Sequence, residues 1–140
     1  MIAYFDTSAI VPILIEEVGS EAAGTIWDRA DRLVSIRLAR VEARAALAQA
    51  GRLGRISVQQ FDASNRELDR LVAQLDLVDI DDRLVERAAD LAEQQALRAY
   101  DAVHLAAAHR LLDQDLVLVA GDRALLDAAH AIGIAVAAIG

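Results

Sequence analysis

The run Leu116-Val117-Leu118-Val119-Ala120 limits what this chain can fold into more than any other stretch. It does not alternate apolar with polar, so both faces of an extended segment here must be covered. That is the mark of a central strand with helices on either side. Shorter apolar runs at residues 2–5, 33–36, 77–80 and 134–139 repeat the theme. The intervals between them carry helical spacing, over residues 7–17, 20–30, 37–49, 57–75, 83–95, 100–112 and from Asp122 to about His130. Thr7 or Ser8 is expected to cap the first of these, with Pro12 in an early turn, and Asp81 to cap the fifth. Strands separated by helices imply right-handed crossovers and a largely parallel sheet. The expected fold class is α/β, with a central, mostly parallel sheet of about five short strands, and 140 residues form a single domain, 1–140.

Composition removes several function classes. There is no cysteine, which excludes disulfides, thiolate nucleophiles and zinc–cysteine sites. All 14 basic residues are arginine, so no mechanism that needs an ammonium side chain is available. No GxGxxG or GxxxxGK run follows any of the strands. The uncharged segment at residues 10–15 is far too short to span a bilayer, and Asp6 interrupts the N-terminus before a signal sequence can form. A cytoplasmic protein with no membrane contact is expected. The formal charge of −8 argues against a general nucleic-acid coat.

Four acids stand where acids need an explanation. Asp6 ends the first strand run and Asp122 follows the run 116–120 by one glycine. Either residue could simply cap the helix that follows. Asp101 shares a helical face with Leu105, Ala108 and Leu112, and a first-turn aspartate is also favoured by the helix dipole. Glu42 lies at the margin of the apolar face of its helix, and its neighbours three and four positions away are Leu38, Ala39, Ala45 and Ala46. None of them can form an ion pair with it, so either it reaches water past the alanines or a cation comes from elsewhere. One α/β fold could bring all four together. Four carboxylates in one pocket require counter-charge, and oxygen-only ligands suit Mg²⁺ or Mn²⁺. A two-metal phosphodiester hydrolase fits such a cluster.

The segments Tyr4-Phe5-Asp6-Thr7-Ser8, Val41-Glu42-Ala43-Arg44, Tyr100-Asp101-Ala102-Val103-His104-Leu105-Ala106 and Leu118-Val119-Ala120-Gly121-Asp122 resemble, in order and spacing, the motifs of the PIN-domain family. The resemblance spans essentially the whole chain and is to the VapC-type toxins of toxin–antitoxin pairs in particular. It implies a three-layer α/β/α PIN-like domain and a Mg²⁺- or Mn²⁺-dependent ribonuclease. Asp6, Glu42, Asp101 and Asp122 would be its catalytic and metal-binding quartet. An RNA substrate, a homodimer and a cognate antitoxin whose C-terminal segment blocks the site are implied as well. Two features depart from the pattern. Ala120 stands where the family often has Thr or Ser, and the net charge is high for an RNA-cleaving enzyme.

Supporting residues have more than one reading. Thr7 and Ser8 either cap the first helix or hydrogen-bond a metal ligand. Ser35 either lies near the site or ends its strand, and His104 either orients Asp101 or is a satisfied core residue. Arg37, Arg40 and Arg44 are expected to form one stripe, solvated, dimer-facing or phosphate-binding. Trp27 and the apolar stripe of residues 57–75 look like packing or partner contacts. Aspartyl-phosphate phosphatases and receiver domains are disfavoured because Ser8 stands where the former need a second Asp and both need a lysine. Another metal-dependent phosphohydrolase or nuclease, or a PIN-like module that has lost catalysis, remains the alternative. Mn²⁺ binding that is lost in Asp6→Asn separates the module from the enzyme.

Overall fold

A computed structural model describes residues 1–112 and 115–140. In chain order the elements are β1 (Ile2–Phe5), α1 (Thr7–Leu14), α2 (Ser20–Arg29), β2 (Arg32–Ile36), α3 (Ala39–Arg52) and α4 (Val58–Gln74). They continue with β3 (Asp76–Val78), α5 (Asp82–Gln95), α6 (Ala99–Arg110), β4 (Leu116–Ala120), α7 (Arg123–Ala131) and β5 (Ala135–Ala138). The strands form one sheet in the order β3-β2-β1-β4-β5, and every described pairing is parallel. β1 sits in the middle, its Ile2 in register with both Arg32 and Leu116.

That strand order dictates the layers. The chain moves outward from β1 to β2 to β3, then returns past β1 to β4 and β5. Right-handed crossovers on the outward and return journeys place their helices on opposite faces. Accordingly α1 to α4 contact one another, and α5 contacts α6, which contacts α7. The result is the three-layer α/β/α arrangement expected. Between β1 and β4 the winding reverses, and a crevice opens outside the carboxyl ends of the strands there.

Burial follows from composition. Tyr4, Phe5, Leu118 and Val119 are fully buried, as is Ser35, whose hydroxyl donates to the Phe5 carbonyl at 2.7 Å across the strands. Ser35 therefore locks β2 to β1. In α6, Ala102, Ala106, Ala107 and Ala108 are buried together, so this helix lies close against its neighbours. Trp27 stacks edge-on against Phe5 with ring centroids 4.9 Å apart and donates its indole N–H to Gln74 at 3.2 Å. It is a packing residue, as is the buried edge Ser64, Leu68 and Leu71 of α4. Among the described residues no helix is long and apolar enough to cross a membrane.

Several boundaries differ from the sequence reading. α1 stops at Leu14 rather than near Glu17: the chain turns extended at Ile15, whose N–H still donates to the Val11 carbonyl at 3.1 Å. Its cap is Asp6, not Thr7 or Ser8. β3 begins at Asp76 and is three residues long. α3 begins at Ala39 and runs on to Arg52, and α6 ends at Arg110, leaving Leu112 outside it and half exposed. Because α3 begins later than expected, the arginine stripe is shortened to the exposed pair Arg40 and Arg44, one turn apart on the helix. Arg37 lies outside the helix and pairs with Asp79 at 2.9 Å, while Arg40 pairs with Asp69 at 3.2 Å.

Gly19 starts α2 with φ +96°, and a Cβ built there would lie 2.6 Å from the Ile139 carbonyl oxygen. Backbone strain and contact with a main-chain atom coincide. Gly19→Ala is expected to destabilise the domain by roughly 1–3 kcal/mol, read as a lower urea midpoint with an unchanged slope.

Candidate metal centre

Each of the four acids lies at the N-terminal end of a helix. Asp6 and Asp122 are the N-cap residues of α1 and α7, and Glu42 and Asp101 lie in the first turns of α3 and α6. Free N–H groups and the positive end of the helix dipole favour a carboxylate at such positions. β1, β2 and β4 all run parallel, so the helices that follow them begin at one edge of the sheet. α6 is aimed at the same edge by a reversal after α5, where Ala96 adopts the left-handed φ of 52°. The sequence signal, an acid just after a strand, is thus also a capping signal, and both uses occur in one side chain.

The division of labour is visible atom by atom. Asp6 Oδ2 accepts the Ser8 N–H at 3.2 Å and the Ser8 hydroxyl, while its Oδ1 faces His104 Nε2 at 3.2 Å. Asp122 Oδ1 accepts the Leu125 N–H at 3.1 Å, and its Oδ2 faces Arg98 Nη2 at 3.1 Å. One oxygen caps the helix and the other is directed at a cation. Asp101 Oδ2 accepts from Arg98 Nε at 3.2 Å, and Glu42 Oε1 accepts from His104 Nε2 at 3.0 Å.

The quartet is therefore arranged as two bridged pairs. His104 joins Asp6 to Glu42, and Arg98 joins Asp101 to Asp122. The hydrogen-bond partner that Glu42 lacked on its own helix comes from α6. His104 does not orient Asp101, as one reading of the sequence had it. It is fully buried, with Nδ1 2.8 Å from the Tyr4 hydroxyl and Nε2 also 3.4 Å from Thr7 Oγ1. When the ring is neutral, the Tyr4 O–H donates to Nδ1, which leaves the ring hydrogen on Nε2, aimed at the carboxylates. When it is protonated, both nitrogens donate.

Charge balance is the second feature. Burial raises the Asp101 carboxyl above its ordinary value, and Asp122 and Asp6 raise it further against the opposing pull of Arg98. Burial opposes charge on His104, yet its bond to Glu42 and the nearby Asp6, Glu42 and Asp101 carboxylates outweigh this and raise its pKa above 6.5. Tyr4 is pushed well above its usual value by burial, then by Asp6 and Glu42. The pocket thus carries more negative charge than it neutralises comfortably.

Oxygen-only donors in such a field suit a hard divalent ion. As the side chains stand, among the described residues no group of three or more acidic or histidine side chains is placed to hold a metal ion. Arg98 and His104 instead draw the carboxylates into two pairs. The donor chemistry fits Mg²⁺ or Mn²⁺, and the residues that would hold the ion are Asp6, Glu42, Asp101 and Asp122.

Three residues carry more than the sequence reading gave them. Arg98 belongs to none of the sequence motifs, yet an arginine opening a helix opposes the dipole and so needs a compensating acid. Tyr4 was read as part of a motif, but its hydroxyl anchors His104. Ser8 supplies a hydroxyl at this edge, accepting the Gly121 N–H at 2.9 Å while donating to Asp6. The hydroxyl missing at Ala120 is in this sense provided from the first turn of α1.

A model of the PIN domain matches residues 3–131. The chain belongs to the PIN-domain family, in its VapC-type branch. Ribonuclease VapC45 of Mycobacterium tuberculosis (strain CDC 1551 / Oshkosh) is 40% identical over 136 residues, covering 97% of this chain and 94% of the relative. Among solved structures, PAE2754 from Pyrobaculum aerophilum superposes with a TM-score of 0.71 at 23% identity, over 96% of this chain and 81% of the other. Mycobacterium tuberculosis VapC20, described as a sarcin-ricin loop cleaving toxin, gives a TM-score of 0.70 at 16% identity, over 94% and 95%. These two likenesses speak to the fold.

Proposed function

We propose that this chain is a Mg²⁺- or Mn²⁺-dependent endoribonuclease, the toxin of a VapBC-like toxin–antitoxin pair. The observation that carries the reading is the gathering of Asp6, Glu42, Asp101 and Asp122 at one sheet edge from four separate helix N-termini. The ribonuclease name of a 40%-identical relative supports RNA as the substrate. A bound divalent ion supplies Lewis acidity, which eases deprotonation of an attacking water and neutralises charge on the phosphate under attack.

The chain's own residues do the rest. Asp101 and Asp122 present oxygens from α6 and α7, and Asp6 presents Oδ1 from the end of β1. Glu42 and Asp6 are held at a fixed separation by the buried His104 ring, itself anchored by Tyr4. Ser8 holds Oδ2 of Asp6, which fixes the plane of the carboxylate and leaves Oδ1 as the oxygen turned to His104 and the site. The phosphodiester substrate, single-stranded or looped RNA, approaches along the edge where these helices begin. A homodimer and a cognate antitoxin that blocks this edge complete the reading.

The test uses a labelled RNA hairpin and the purified protein. Cleavage is expected with Mn²⁺ or Mg²⁺, and excess EDTA is expected to reduce it to background, with activity restored on adding metal back. Cleavage that persists undiminished in EDTA removes the metal from the mechanism. A deoxy hairpin in parallel decides between RNA and nucleic acid generally.

A further inference from the structure

Arg98 occupies a poor position for a cation. It is the N-cap residue of α6, its side chain forms no capping hydrogen bond, and the helix dipole there repels positive charge. Two carboxylates offset this. Nε lies 3.2 Å from Asp101 Oδ2 and Nη2 lies 3.1 Å from Asp122 Oδ2. The Arg98 side chain is 80% exposed, whereas Asp101 is 12% and Asp122 24% exposed. The guanidinium thus lies over the mouth of the acidic pocket and can rotate into water without disturbing the core.

We infer that Arg98 is a built-in counter-ion that competes with the divalent metal for Asp101 and Asp122, and that it must swing out before the ion can bind. This rests on the metal-dependent reading above. The geometry is specific, because the guanidinium engages one oxygen of each acid and spans the gap between them. A divalent ion held by the same two oxygens would need the space that the guanidinium spans. Pairs to an exposed arginine are individually weak, so a divalent ion displaces it, but with a reduced apparent affinity. Charge balance explains why the chain keeps such a competitor. Asp101 and Asp122 are two carboxylates set against one guanidinium, and Arg98 holds them together until metal arrives.

The measurement is calorimetric titration of Mn²⁺ into the metal-free wild type, Arg98→Ala, Arg98→Gln and Asp101→Asn proteins. Arg98→Gln retains much of the side chain's length and polarity and guards against a folding defect in the alanine variant. Both Arg98 variants are expected to bind Mn²⁺ roughly tenfold more tightly than wild type, and Asp101→Asn to bind far more weakly. A greater Mn²⁺-induced rise in Tm for Arg98→Gln than for wild type should accompany this. If wild type binds Mn²⁺ and both Arg98 variants bind it equally or less well, the competition is refuted while the metal site stands. If none of the four proteins binds Mn²⁺, the metal-dependent reading itself falls, and this inference with it.

Discussion

Asp101→Asn is expected to lower RNA cleavage by roughly a thousandfold or more while making the protein more stable at neutral pH. The two effects have one origin. Burial, then the neighbouring Asp122 and Asp6 charges, raise the folded-state pKa of Asp101 despite Arg98. For a carboxyl raised in this way, the folded state holds its proton more strongly than the unfolded chain does. The associated stability is fully present below the unfolded pKa and is lost as pH rises through the folded one. At pH 7 the ionised side chain therefore opposes folding. Asparagine has nearly the same shape, still accepts from Arg98 Nε, and removes the charge. A Tm increase of roughly 1–3 °C by calorimetry is expected, together with a cleavage rate near background. Asp6→Asn should lose activity as severely, and it keeps the α1 cap because asparagine caps as well as aspartate. Undiminished cleavage by either purified variant would remove that residue from the catalytic set. A less stable Asp101→Asn protein would show that the pocket's negative charge is already well compensated.

Much of the scaffold could be read from the chain because it depends on local rules. The run Leu116–Ala120 forms β4 with those bounds, since a segment apolar on both faces has no other comfortable place. The strand positions then determined the layers through crossover handedness. Glu42 announced its own need, since nothing within helical reach could pair with it, and a partner, His104, reaches it from another helix. What the sequence could not show is which side chain arrives. His104 is 62 positions from Glu42 and 98 from Asp6, and no periodicity links residues so far apart. Arg98 escaped notice for a related reason. Local rules mark it only as an ill-placed cation, while its partner Asp122 lies 24 positions away across a helix and a strand. The arginine stripe lost Arg37 through a two-residue shift in where α3 begins, enough to carry that residue off the helix and toward Asp79. Boundaries decide faces, and the start of α3 depends on tertiary contacts: Arg37 N donates to Val78 O at 3.0 Å, tying the loop to β3.

His104→Leu is expected to cost roughly 3–5 kcal/mol of folding free energy, the largest stability loss predicted for a residue of this site. The size follows from what would be left behind. The Tyr4 hydroxyl, fully buried, loses its 2.8 Å partner, and Asp6 Oδ1 and Glu42 Oε1 lose the group between them. Leucine fills the volume but satisfies none of the three, and two carboxylates then face each other in a poorly hydrated space. The pH dependence separates this from a simple packing defect. Burial resists charge on the ring, but Glu42, Asp6 and Asp101 raise its pKa above 6.5 in the folded protein. For a histidine raised in this way, the extra stability is fully present below the unfolded pKa of about 6.5 and is lost as pH rises through the folded value. Wild-type stability from urea denaturation should therefore decline as pH climbs above 6.5, and this component should be missing from the variant. Equal stability and an equal slope in both proteins would mean that His104 merely fills space. A large loss that divalent metal partly restores would mean instead that the ring and the ion serve the same end. Both would then be ways of making a crowded set of carboxylates tolerable inside a folded chain.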